Sequence, residues 1–199
     1  VTLIAFDTVT CVRGGRVLFG NLSFALAPGD AALVTGPNGV GKSSLIRLAA
    51  GLLAPVAGSI TGDAPRALLT DQASLDEELP LARALAFWAR LDGAFGNLGA
   101  ALDALALSDL ADIPVRLLST GQRRRAAIAR VIASGAPLWL LDEPANGLDT
   151  AALSLLETAI ARHRASGGAV LVASHTPITL PGALAIDLSQ RLSQLERAT

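Results

Sequence analysis

The sequence predicts an α/β fold: a core of buried strands and helices, a small antiparallel β flap, and a helical subdomain at about residues 73–120, within a single domain over 1–199. Three patterns predict it. The runs Ala31-Ala32-Leu33-Val34, Leu138-Trp139-Leu140-Leu141 and Ala169-Val170-Leu171-Val172-Ala173 are continuously apolar, as buried strands are. Leu22, Phe24 and Leu26 alternate with Ser23 and Ala25, the period of a half-buried strand. Between about 75 and 114 the composition turns to alanine, leucine and acidic residues. There Leu81, Leu85 and Trp88, then Leu98, Leu102, Leu105 and Leu107, fall at helical spacings.

In chain order, residues 3–12 and 16–26 are expected to be flap strands around a turn at Gly14-Gly15, with Cys11 a small apolar filler in the first. Pro28-Gly29-Asp30 turns the chain into the strand at 31–34. Gly36-Pro37-Asn38-Gly39-Val40-Gly41-Lys42-Ser43-Ser44 follows, and Leu45 to Ala50 has helical spacing. Strand, glycine loop, Lys-Ser and helix form a phosphate-binding P-loop in its required context. The glycines let successive N–H groups curl toward phosphate oxygens, and the helix start adds its positive dipole end. Lys42 can reach the β- and γ-phosphates, and the Ser43 hydroxyl suits Mg²⁺. Gly51 and Pro55 stop the helix, and 58–62 reads as one more flap strand. Residues 66–72 read as a core strand ending at Gln72.

Ser119 reads as the N-cap of a helix through Arg123 to Arg130, whose arginines form a solvated basic face. Asp142 and Glu143 stand at the carboxyl end of the strand at 138–141, where parallel α/β sheets bind ligands. Adjacent carboxylates there are costly unless they hold metal or do proton work; the alternative is an ordinary surface turn. Asp149 lies near the end of the loop at 144–150. A helix is expected over 151–165, with His163 solvated, then Gly167-Gly168 and the strand at 169–173. His175 stands just beyond that strand, again at a carboxyl end. A strand near 183–188 and a polar tail finish the chain.

The bulk properties bound the function. A chain of 199 residues with net charge −1 offers no basic field for nucleic acid. No apolar run approaches the ~20 residues of a membrane span, and no signal segment opens the sequence. A single cysteine excludes an internal disulfide and fits a reducing compartment, with cytoplasm the expected location.

Taken together, the motifs resemble the ATP-binding cassette (ABC) ATPases over nearly the whole chain. They stand in order: Walker A at 36–43, the Q-loop glutamine at 72, the signature Leu118-Ser119-Thr120-Gly121-Gln122, Walker B at 138–142, Glu143, the D-loop at 146–149 and the switch histidine at 175. A narrower resemblance is to the ATP-binding subunits of haem exporters of cytochrome c maturation. It rests on the chain's shortness, on Cys11-Val12-Arg13-Gly14-Gly15-Arg16-Val17-Leu18-Phe19, and on the arginines after the signature followed by Leu-Trp-Leu-Leu-Asp-Glu-Pro. Two departures stand out. Arg13 lies about where many members stack adenine on an aromatic residue, and Gly147 replaces the usual D-loop alanine.

The resemblance implies ATP and Mg²⁺ as ligands, with Gly36 to Ser44 around the phosphates. It implies Ser43, Gln72 and Asp142 at the metal, Glu143 on the attacking water and His175 on the γ-phosphate. Ser119, Gly121 and Gln122 would serve the site of a second copy, giving an ATP-dependent homodimer, and Asp149 of the D-loop would be a further nucleotide-site residue. The implied partners are transmembrane subunits, with the chain peripheral on the cytoplasmic face of the inner membrane and no direct contact with nucleic acid. The ATPase subunit of another ABC transporter, a soluble ABC ATPase acting on nucleic acid and a nucleotide-binding module without turnover are the alternatives. No haem-ligand pair is present, so haem enters through resemblance alone.

Overall fold

The structure is a computed structural model describing residues 1–70 and 74–189. The expected strand end at Gln72 and the polar tail lie outside the described residues. Two sheets form. The flap is antiparallel, in the order β2 (Arg16–Leu26), β1 (Ile4–Arg13), β4 (Ala57–Thr61). The core sheet is parallel throughout, in the order β5 (Arg66–Leu69), β6 (Leu138–Asp142), β7 (Ala169–Ala173), β3 (Ala31–Thr35), β8 (Leu184–Asp187). The strand read from 66 as a core strand is a shorter one at the sheet edge, ending at Leu69.

Successive residues of a strand point to opposite faces, and each face of the parallel sheet has its own core. On one face Ala32, Val34, Leu138, Leu140, Leu171 and Ala173 pack with α1 (Lys42–Ala49) and the inner side of the flap, including Ile4, Phe6, Phe19, Leu22 and Leu26. Cys11 is buried in this layer, as expected; burial raises its thiol pKa and Arg13 opposes the shift. On the other face Ala67, Leu69, Trp139, Leu141, Val170 and Val172 pack with α2 (Leu81–Leu91), α3 (Leu98–Ala104), α4 (Thr120–Ala133) and α5 (Thr150–Ala165). Leu81, Leu85, Leu105 and Leu107 are fully buried there. No helix among the described residues is long and apolar enough to cross a membrane.

Two expectations are corrected. His163 is not a solvated residue: its ring stacks on Trp139 with centroids 3.8 Å apart, and its Nε2 is buried. The polar neighbours Arg162 and Arg164 concealed that the helix face at 163 turns toward the start of β6. Nor is the basic face of α4 simply solvated. Arg124 is buried, Arg125 donates to the carbonyls of Leu105 and Ala106, and Arg130 lies over the Trp88 ring at 3.9 Å. Arg124, Ala127, Ile128 and Val131 are spaced i, i+3, i+4, i+7, so the same period that buries the three apolar residues buries the arginine.

Candidate active site

Because the core strands are parallel, their carboxyl ends share one edge, and the loops leaving β3, β6 and β7 gather there. The β3 loop enters α1 with Gly41 at φ 117, a conformation that L side chains rarely adopt. A Cβ on Gly41 would lie 3.1 Å from Leu18 Cβ, so the flap closes directly over the loop. The start of α1 has no side-chain cap and no acidic residue in its first turn. By contrast, α4 starts with a full capping box and α5 is capped by Asp149, which accepts from Ala152 N at 2.8 Å. Uncapped first-turn amides with a positive dipole end suit an anion.

Lys42 bends back over this loop. Only 6% exposed, its ammonium donates to Gly36 O at 2.9 Å and Pro37 O at 3.4 Å, and lies 3.5 Å from Glu143 Oε1. Ser43 Oγ donates to Asp142 Oδ1 at 3.1 Å, joining the start of α1 to the end of β6. Glu143 Oε2 accepts from His175 N at 3.1 Å and meets His175 Nδ1 at 2.8 Å. Against an ionised carboxylate Nδ1 is the donor, which leaves Nε2 for a ligand. Asn38, Gly39, Lys42, Ser43, Ser44, Leu18 and Glu143 line a cleft of about 250 Å³.

The donor set fits a Mg²⁺-bound nucleoside triphosphate. A buried ammonium and the start of α1, which has no side-chain cap, line the cleft and suit an anion, and a hydroxyl and a carboxylate supply hard oxygens beside them. Among the described residues no group of three or more His, Cys, Asp or Glu side chains could hold a metal.

The structure thus brings together Gly36 to Ser44, Asp142, Glu143 and His175. Gln72 lies outside the described residues. Ser119, Gly121, Gln122 and Asp149 make their hydrogen bonds away from the P-loop: Ser119 accepts from Gln122 N at 3.2 Å, and Gln122 Oε1 accepts from Ser119 N at 2.8 Å. A Cβ on Gly121 would lie 3.4 Å from Gly147 O, so the start of α4 abuts the loop before α5. Arg13, at the end of β1, is exposed. The residue that sequence reasoning missed is Arg124. Its fork reaches Thr70 O at 2.8 Å, Asp142 O at 3.0 Å, Pro144 O at 3.4 Å and Glu143 O. The helical period noted above was the signal that could have found it.

A parallel sheet with a P-loop after one strand and an Asp-Glu pair ending another defines a P-loop nucleotide-binding cassette. The ABC transporter family matches residues 19–146. The cytochrome c biogenesis ATP-binding export protein CcmA of Sphingopyxis alaskensis is 61% identical over 180 residues, covering 90% of this chain and 93% of that protein. The protein of the same name from Zymomonas mobilis is 52% identical over 86% of this chain and 78% of its own length. Among solved structures, a metal-chelate type ABC transporter in an inward-facing conformation superposes with a TM-score of 0.82 at 26% identity, over 94% of this chain and 80% of that one. The chain belongs to the ATP-binding subunits of ABC transporters and, within them, to the CcmA family.

Proposed function

We propose that the chain is the ATP-hydrolysing subunit of a membrane exporter that serves cytochrome c biogenesis by moving haem. The observation that carries the reading is Glu143, held between Lys42 and His175 at the mouth of an uncapped phosphate loop. Haem itself rests on the kinship with CcmA.

The loop amides and Lys42 bind the β- and γ-phosphates and neutralise their charge. When bound, Mg²⁺ would neutralise charge on the transferred phosphoryl group, with Ser43, Asp142 and Gln72 the residues that would hold it. When Lys42 turns to the phosphates, its ion pair with Glu143 opens, and the carboxylate is freed to orient a water and take its proton. The water oxygen bonds to the γ-phosphorus as the bond to the β–γ bridging oxygen breaks, giving ADP and phosphate. His175 holds Glu143 through Nδ1 and presents Nε2 to the γ-phosphate.

The chain acts as a single domain, with about 73–120 its helical subdomain. Ser119, Gly121 and Gln122 complete the site of a second copy, so ATP closes a homodimer and hydrolysis opens it. Transmembrane subunits hold the pair at the cytoplasmic face of the inner membrane. They dock on the helical layer, where Phe87 and Leu91 are 55% and 65% exposed on α2. Leu81 and Leu85, in the same stretch, belong to the chain's own core.

Affinity purification of the tagged chain from native membranes tests the reading. Membrane subunits should co-purify, with Mg·ATP hydrolysis in the complex. A chain that purifies alone from the soluble fraction of cells holding those subunits contradicts it.

A further inference from the structure

Arg123-Arg124-Arg125 follows the capping box of α4, and its middle member points inward. Arg124 is 8% exposed, and its planar fork reaches several main-chain carbonyls. Nη1 donates to Thr70 O, just after β5; Nη2 donates to Asp142 O and Glu143 O; Nε faces Pro144 O. One side chain therefore ties the second turn of α4 to the main chain that leaves two neighbouring strands of the sheet. A lysine could not do this, because its single ammonium lacks the rigid spread of donors that spans several carbonyls.

The carbonyls it holds include that of Glu143. Glu143 has φ 48, in the left-handed region that L residues rarely adopt, and it has a full side chain there. Such a backbone persists only where its surroundings fix it. Here the Glu143 N–H donates to Ala173 O at 2.8 Å on one side of the residue, and on the other its carbonyl accepts from Arg124 Nη2 and from Asn146 N at 3.2 Å. The side chain that leaves this backbone carries the carboxylate between Lys42 and His175.

We infer that Arg124 is a positioning residue for ATP hydrolysis. It fixes the left-handed turn of Glu143, and so aims its carboxylate, and it makes that aim depend on where the start of α4 lies. Ser119, Gly121 and Gln122 occupy that start, so a shift of the signature segment is felt at Glu143 through one rigid guanidinium. The inference rests on the reading of Glu143 as the group acting on water.

The test uses the complex purified from native membranes, with Arg124→Lys and Arg124→Gln, each alone and combined with Glu143→Gln. The Arg124 variants are expected to lower kcat by a factor on the order of 10–10² while the KM for ATP moves less than about threefold, because misaiming a catalytic group affects the step and not the phosphate loop. In the Glu143→Gln background the same changes should cost nothing further, since both act through one carboxylate. Multiplying losses in the double variants would overturn the inference, and so would a kcat unchanged by Arg124→Lys and Arg124→Gln. Glu143→Gln turning over at the wild-type rate would instead overturn the reading of Glu143, and the inference with it. If neither Arg124 variant folds, the residue is structural only and the inference fails.

Discussion

Lys42→Met removes the ammonium from the cleft and keeps most of the stem that packs at 6% exposure. In the nucleotide-free chain the losses are two hydrogen bonds to carbonyls at the cleft, which water can replace, and one ion pair to Glu143, which keeps His175. Basal stability should therefore change by about 1 kcal/mol or less. Binding is another matter. Two charge-assisted hydrogen bonds to phosphate are worth at least ~3 kcal/mol together, which weakens Kd about 100-fold or more. At Mg·ATP near 100 times the wild-type Kd, nucleotide stabilises the wild type by about 2.7 kcal/mol, and the variant by about 0.4 kcal/mol. For a chain of this size that is a thermal shift of roughly 5–10 °C against one of about 1–2 °C. A thermal-melt titration with Mg·ATP reads both. Equal shifts in the two proteins, from similar starting midpoints, would refute the assignment of Lys42 to the phosphates.

Other outcomes follow from particular contacts. A Cβ on Gly168 would sit 2.2 Å from His163 Cε1 and Nε2, and Trp139 backs the ring. Gly168→Ala should cost about 1–3 kcal/mol by overpacking, and in a His163→Ala background it should cost nothing further; denaturant melts of the pair check this. Burial holds the His163 imidazole below the ordinary histidine pKa, against the pull of backbone bonds at Ala169 and Pro137. The folded chain thus keeps the neutral ring while the unfolded chain takes up a proton below about pH 6.5. This contribution is whole above that pH and is lost as the pH falls through the folded value, so the melting midpoint should drop more between pH 7.5 and 5.5 in the wild type than in His163→Leu. Cysteines at 87 and 91 should cross-link to the membrane subunits while cysteines at 52 and 56, on the flap side, do not. Native Cys11 is 1% exposed and will not compete.

Much of this was legible because the chain states its periods plainly. Continuous apolar runs named β3, β6 and β7, and the glycine loop before Lys42 named the phosphate site. Adjacent carboxylates at a strand end named the catalytic edge. What was hidden depended on which neighbour each helix face meets. His163 and Arg124 look like surface residues in a list, and only the packing of α5 on Trp139 and of α4 on the ends of β5 and β6 draws them inside. The left-handed turn at Glu143 has no sequence mark at all, since nothing in the residue type asks for it. The strand at 66 stops at Leu69, at the sheet edge and paired on β6 alone.

The central claim is that Glu143 handles the water that attacks ATP. Glu143→Gln keeps the shape and the hydrogen-bonding reach of the side chain, leaves the Lys42 bonds to Gly36 O and Pro37 O and the Ser43–Asp142 bond in place, and removes the base together with its ion pair to Lys42. The decisive measurement is Mg·ATP turnover by the complex from native membranes carrying this substitution, with nucleotide binding measured on the same sample. Turnover should fall by a factor on the order of 10²–10⁴ while ATP still binds. A Glu143→Gln complex that hydrolyses ATP at the wild-type rate would contradict the claim.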